Sequence, residues 1–110
     1  MPKNAKGSRR ERELLEKLSQ EGLIVHRIAG SGVKDSAICD LIAVDSKGKV
    51  QLIEVKSRKK CFYTKEHMDQ FNQLIEASKA CKAKPVLAVK LNYKNWQFID
   101  LKKNIPKRID

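Results

Sequence analysis

Asp40, Glu54 and Lys56 are the residues whose types and spacing could do chemistry. They bracket two short apolar runs, DLIAV at 40–44 and VQLIEVK at 50–56, joined by the polar, glycine-containing DSKGK. Runs of this length and β-branched content, bounded by turn residues, predict the two strands of a hairpin. With the loop centred on Lys47, Val44 faces Val50, Ile42 faces Leu52, and Asp40 faces Glu54. Alternation then puts Asp40, Ile42, Val44, Val50, Leu52, Glu54 and Lys56 on one face. An apolar patch ends in two carboxylates and an ammonium. Directly opposed strand residues have Cβ atoms about 4.5–5.5 Å apart, where like charges repel, so the pair needs a cation. Lys56 is one candidate, which makes the cluster an ordinary edge salt bridge. A hard divalent ion such as Mg²⁺, which takes carboxylate and carbonyl oxygens, is the other.

The elements that must position this cluster follow from the rest of the chain. At 110 residues, 41% of them apolar, there is enough for one domain with one core. Lys and Arg number 24 and the formal net charge is +11, which points to a polyanionic partner, nucleic acid before an anionic membrane surface. No apolar run reaches the length of a membrane span and no secretory signal precedes the domain, so the expected location is cytoplasmic. Cys39, Cys61 and Cys81 are odd in number and widely spaced, neither a disulfide framework nor a zinc site.

Residues 1–7 are basic and aperiodic and read as an arm. Ser8-Arg9-Arg10-Glu11 has the S-x-x-E form of a capping box opening a helix. Leu14, Leu15 and Leu18 make its apolar stripe and Gly22 its stop. Glu11 falls on that stripe, three, four and seven residues before the leucines, whereas Glu13 and Glu16 read as solvated partners for basic residues. Leu23–Ile28 reads as a strand. In AGSGVKDS, glycines flank Ser31, a spacing that suits a tight strand connection or a phosphate-binding loop. His26 and His67 have no partner at ligand spacing. SRKKCFYT, residues 57–64, mixes cations with Phe62 and Tyr63, as in a segment that meets nucleic acid or a loop with both rings tucked inward. Thr64 caps a second helix whose buried face is Met68, Phe71, Leu74, Ile75 and Ser78, and Pro85 ends it. Val86–Leu91 predicts an interior strand and Trp96–Leu101 another, before the basic tail at 102–110.

Helix, three strands, helix, two strands predicts an α/β domain with a mixed central sheet and one helix on each side. In that frame Asp40, the E-V-K of 54–56 and an N-terminal helix bearing Glu11 resemble the PD-(D/E)xK nuclease core, a restriction-endonuclease-like fold. KGSRRER at 6–12, the glycine-flanked Ser31 and IEVKSR at 53–58 resemble the archaeal Holliday junction resolvases within it. The family's proline before the aspartate is Cys39 here.

The resemblance implies roles for matched positions. Asp40, Glu54, the Val55 carbonyl and Glu11 would form the metal shell for Mg²⁺, with Mn²⁺ able to substitute. Lys56 would orient or activate water or stabilise charge on the scissile phosphate, and Ser31 would act near it. Lys6, Arg9, Arg10, Lys34, Arg58, Lys59 and Lys60 are the expected DNA contacts. The implied partner is four-way junction DNA; two symmetric incisions predict a homodimer, and its interface is expected to take apolar residues that one small core cannot bury, Trp96, Phe98 and Ile99. Two alternatives stay open: a related nuclease acting on other branched or duplex DNA, and a non-catalytic basic nucleic-acid-binding domain.

Overall fold

A computed structural model of the chain describes residues 5–28 and 37–110, with side chains from residue 7 at the N-terminal end. Its elements are α1 (Ala5–Gln20), β1 (Ile24–Arg27), β2 (Leu41–Val44), β3 (Val50–Arg58), β4 (Phe62–Tyr63), a 3-10 turn (Lys65–His67), α2 (Met68–Cys81), β5 (Lys84–Leu91), β6 (Gln97–Asp100) and β7 (Arg108–Ile109). Five strands form one sheet in the order β1-β2-β3-β5-β6. Only β3 and β5 run parallel, joined through α2; the other three pairings are antiparallel. The sheet is therefore mixed, as expected.

Alternation along β2 and β3 divides the core. Leu41, Ala43 and Ile53 point to the α1 side, where they meet Leu14 and Leu18 together with Val86 and Ala88. Leu52, flanked by Ile42 and Val50, points to the α2 side with Phe71, Leu74 and Leu87. One helix thus covers each face. The hairpin turn closes because Asp45 accepts the Lys47 and Lys49 N–H groups at 2.9 Å each, and because Gly48 takes φ +80°. That register places Ile42 opposite Leu52 and Val44 opposite Val50.

Helix ends differ from expectation in instructive ways. α1 starts at Ala5, so Ser8 is inside the helix and no capping box forms; residues 5–7 are helix, not arm. Its C-terminus follows the reading, with Gly22 at φ +96°. The Gly22 N–H donates to Ser19 and the Leu23 N–H to Leu18, a Schellman closure. The Thr64 hydroxyl does not cap the second helix either: it donates to the Pro106 carbonyl at 2.8 Å. α2 ends not at Pro85, which lies inside β5, but at Lys82 in the left-handed conformation. The basic tail is pinned, since β7 pairs with β4 and Ile109 is buried. Phe62 is buried and Tyr63 exposed, so one ring of that segment is in and one out. β6 is an edge strand carrying exposed Phe98; Ile99 packs into the α2-side core, and the Trp96 indole N–H reaches Glu13.

Candidate active site

The register of the hairpin brings Asp40 and Glu54 together at its open end, though not as a ladder pair. Regular pairing stops at Leu41–Ile53. The Asp40 N–H donates to the Ile53 carbonyl, one residue out of register, and the Asp40 carboxylate accepts the Val55 N–H at 2.8 Å. A carboxylate oxygen thus takes over where a backbone carbonyl would have continued the ladder. Both side chains are buried, Asp40 at 6% and Glu54 at 4% exposure, so their charges meet little water.

Glu54 lies on the α2 side, as its alternation with Leu52 requires. The Lys56 ammonium stands 3.5 Å from its carboxylate, and Gln70 of α2 donates to the same oxygen at 3.0 Å. Burial, then the nearby Asp40 charge, push the Glu54 carboxyl up to about 8, with Lys56 pulling the other way. One lysine does not neutralise the pair. Two oxygen-only carboxylates side by side are a donor pair that suits a hard divalent ion.

Glu11 reaches the cluster from the α1 side, but another residue holds it. Arg27 of β1 donates from Nε to the Glu11 carboxylate at 2.7 Å and from its fork to the Ser8 hydroxyl at 2.9 Å. Burial lifts the Glu11 carboxyl above its ordinary range, the Arg27 hydrogen bond opposes that, and Asp40 adds to it. The partner expected for Glu11 was the Ser8 backbone; here the pair is bridged by a guanidinium from the next element. Among the described residues no three carboxylate, imidazole or thiol groups are placed together so as to hold a metal ion.

The other expected residues separate clearly. Ser31 and Lys34 lie outside the described residues, and Lys6 falls within α1 with its side chain undescribed. Arg9 is exposed on α1, and Arg58, Lys59 and Lys60 are exposed where β3 ends. Arg58 also lies over the Phe62 ring, 5.0 Å from its centre. Arg10 is not a free cation: it is half-buried and paired with Glu13 at 2.7 Å. His67 stacks on Phe62, a packing role. Cys39, in the place of the family's proline, is buried, and burial pushes its thiol up to about 12. Sequence reasoning missed Arg27 and Gln70. The signal for Gln70 was there, a polar residue four before Leu74 on the sheet-facing stripe of α2.

Three kinds of likeness to known proteins agree with this geometry. The sequence model of the archaeal Holliday junction resolvase (Hjc) family matches residues 2–108. The chain is 38% identical over 96 residues to the crossover junction endodeoxyribonuclease Hjc of Archaeoglobus fulgidus, covering 86% of this chain and 68% of that one. It is 43% identical over 93 residues to the protein of the same name from Methanocaldococcus jannaschii, covering 82% of this chain and 62% of its length. The solved structure of Archaeoglobus fulgidus Hjc, a Holliday junction resolvase, superposes with a TM-score of 0.75 at 32% identity, over 92% of this chain and 82% of that one.

Proposed function

Because the chain belongs to the archaeal Holliday junction resolvase family, we propose that it is a structure-selective endodeoxyribonuclease that resolves four-way DNA junctions by Mg²⁺-dependent phosphodiester hydrolysis. The observation that carries the chemistry is the buried Asp40–Glu54 pair with the Lys56 ammonium 3.5 Å from Glu54. Asp40 and Glu54 would hold the ion, with the Val55 carbonyl as a further oxygen, and Glu11 would complete the shell, directly or through water. When bound, Mg²⁺ (or Mn²⁺) neutralises charge on the scissile phosphate and makes a coordinated water more acidic.

The protein's own residues do the rest. Gln70 fixes the rotamer of Glu54 from α2. Lys56, confined by its contact with Glu54, offers an ammonium that orients the attacking water or stabilises the charge that develops on phosphate. Ser31 acts near that phosphate. Arg9, Arg58, Lys59 and Lys60, joined by Lys6 and Lys34, contact the backbone and position the DNA. Two symmetric nicks need two sites, so the working unit is a homodimer with two-fold symmetry, which carries +22 (twice +11). We assign its interface to the β6 edge around Phe98, with Trp96 and Ile99. Among the described residues no helix is long and apolar enough to cross a membrane, and a DNA substrate suits the cytoplasm.

Incubating the protein with four-way, three-way, flap and blunt duplex DNA tests this reading. Paired nicks in the four-way junction are expected with Mg²⁺, and binding without cutting is expected with chelator. Equal cutting of flaps and duplex would leave a nuclease of another specificity. Binding with no cutting at any Mg²⁺ concentration would leave only a DNA-binding domain.

A further inference from the structure

Tyr93 is the most exposed large hydrophobic residue among the described residues, with its side chain wholly in solvent. It also occupies a backbone position that tyrosine fits badly. The Lys94 N–H donates to the Leu91 carbonyl at 3.2 Å, closing a four-residue turn between β5 and β6, and Tyr93 is its third residue with φ +66°. A turn with positive φ at that place favours glycine or asparagine. A ring held there gains nothing from burial and adds strain, so nothing in the fold accounts for it.

Its surroundings are those of a nucleic-acid surface. Arg9, Arg10, Asn92 and Tyr93 line one shallow cleft of about 310 Å³. The Asn92 N–H donates to the carbonyls of Arg58 and Lys59, which fastens the turn to the basic end of β3. Lys94 follows the ring in sequence, and the Lys90 ammonium bonds the Lys94 carbonyl to stiffen the turn. Glu13 is the acid nearby, and it is engaged by Arg10 and Trp96. β5 runs parallel to β3 with Val89 beside Lys56, so Tyr93 stands four residues past the partner of Lys56. The turn therefore lies beyond the same end of the sheet as Lys56, past the C-terminal ends of β3 and β5.

We propose that Tyr93 is a base-stacking residue, which packs its ring on a base exposed at the branch point while Arg9 and the Arg58–Lys60 end of β3 hold the flanking phosphates. This rests on the junction-resolving reading. Every base presents a π-face, so the contact needs no sequence; it needs an unstacked base, which a branch point offers and a continuous duplex does not. The ring therefore adds discrimination of shape to a charged surface that alone would hold any DNA.

The test compares Tyr93→Asn, Tyr93→Phe and Arg9→Gln with wild type for affinity to a four-way junction and to a blunt duplex across a salt series. Asparagine suits the left-handed backbone, so Tyr93→Asn keeps or raises the melting temperature. Tyr93→Asn is expected to lose about tenfold in junction affinity, within the span known for one stacked base, and less than about twofold on duplex. Its slope of log affinity against log salt stays that of wild type, because no charge is removed. Tyr93→Phe keeps junction affinity. Arg9→Gln instead weakens both DNAs and flattens the slope by about one. The stacking role is overturned if Tyr93→Asn binds the junction like wild type, loses equally on duplex, or is matched by Tyr93→Phe. A wild type with no preference for junction over duplex overturns the resolvase reading as well; a wild type that prefers the junction, beside an unaffected Tyr93→Asn, removes the stacking role alone.

Discussion

Replacing Glu11 with glutamine separates the structural job of this residue from its proposed place in the metal shell. In the folded protein Glu11 is clamped, not capping: the Arg27 guanidinium donates to it at 2.7 Å and to Ser8 at 2.9 Å. Glutamine can still accept from Arg27, so the change removes the charge and keeps the bond. The Arg27 guanidinium stays charged, so the bond to glutamine remains charge-assisted; what is lost is the ion-pair attraction, about 1 kcal/mol for a partly exposed pair. Part of that returns, because Glu11 is half-buried and its carboxylate is repelled by Asp40. Net destabilisation under about 1 kcal/mol moves the melting temperature of a domain this size by no more than about 4 °C. Activity should respond far more. Loss of a shell residue typically costs about 10- to 100-fold, and added Mg²⁺ recovers only part of it. Melting curves and single-turnover junction nicking over a Mg²⁺ series read both, with Glu16→Gln, exposed on the same helix, as the control expected to change neither. Wild-type nicking by Glu11→Gln at every Mg²⁺ concentration would refute the reasoning and leave Glu11 as the Arg27 anchor only.

Three further outcomes follow from the site and its surroundings. Asp40→Asn and Glu54→Gln should abolish junction nicking while affinity for the uncut junction holds or, for Asp40→Asn, rises, since there a negative charge facing phosphate is removed; normal nicking by either would dismiss the site. The metal-free protein should lose stability as pH rises. The unfolded chain sheds the Glu54 proton near 4.5, while burial and Asp40 keep it on the folded chain to about 8, so between those values the folded state holds more protons and is progressively disfavoured, by on the order of 5 kcal/mol. Glu54→Gln should flatten that fall and Mg²⁺ at pH 8 should reverse it in wild type; parallel pH curves for the two proteins would contradict the burial argument. Thiol labelling of the native protein at neutral pH should modify exposed Cys81 rapidly and spare Cys39, buried at 3% exposure and held protonated, and equal rates would mean that the end of the hairpin opens readily.

What could be read from the sequence is what local chemistry decides. The hairpin register was legible because Asp45 and Gly48 fix a short turn, and period-2 alternation then dictates every partner from Val44–Val50 to Leu41–Ile53. Gly22 stops α1 by the same local logic. Reading failed where a side chain had two possible partners and the nearer one lost. Ser8 and Glu11 match a capping box, yet Arg27, nineteen and sixteen residues on, satisfies both. Thr64 matches an N-cap, yet its hydroxyl goes to Pro106 forty-two residues away. No local rule ranks such competitors, because packing of the sheet decides which one arrives. The same limit hid Gln70, whose partner Glu54 is sixteen residues back and on another element.

These misses share a place as well as a cause. Arg27 reaches Glu11 on the α1 side and Gln70 reaches Glu54 on the α2 side, so the carboxylates at the end of the hairpin are steadied from opposite faces of the sheet. Spacing reveals that negative charge is gathered at Asp40 and Glu54; it does not reveal what balances that charge. In the folded protein the balance is incomplete on the Glu54 side, where a neutral amide and one lysine face the Asp40–Glu54 pair and a proton on Glu54 makes up the difference to about pH 8, and complete on the Glu11 side, where Arg27 is a full counter-charge. A divalent ion is therefore expected to settle first between Asp40 and Glu54. Glu11 joins only as far as it can leave Arg27, which makes the guanidinium a competitor of the ion for that carboxylate. Substituting Arg27 with glutamine should then lower the Mg²⁺ concentration needed for half-maximal nicking, even as it weakens the anchoring of α1 to β1. A requirement for Mg²⁺ that is unchanged or higher in Arg27→Gln would mean that Arg27 presents Glu11 to the site instead of withholding it.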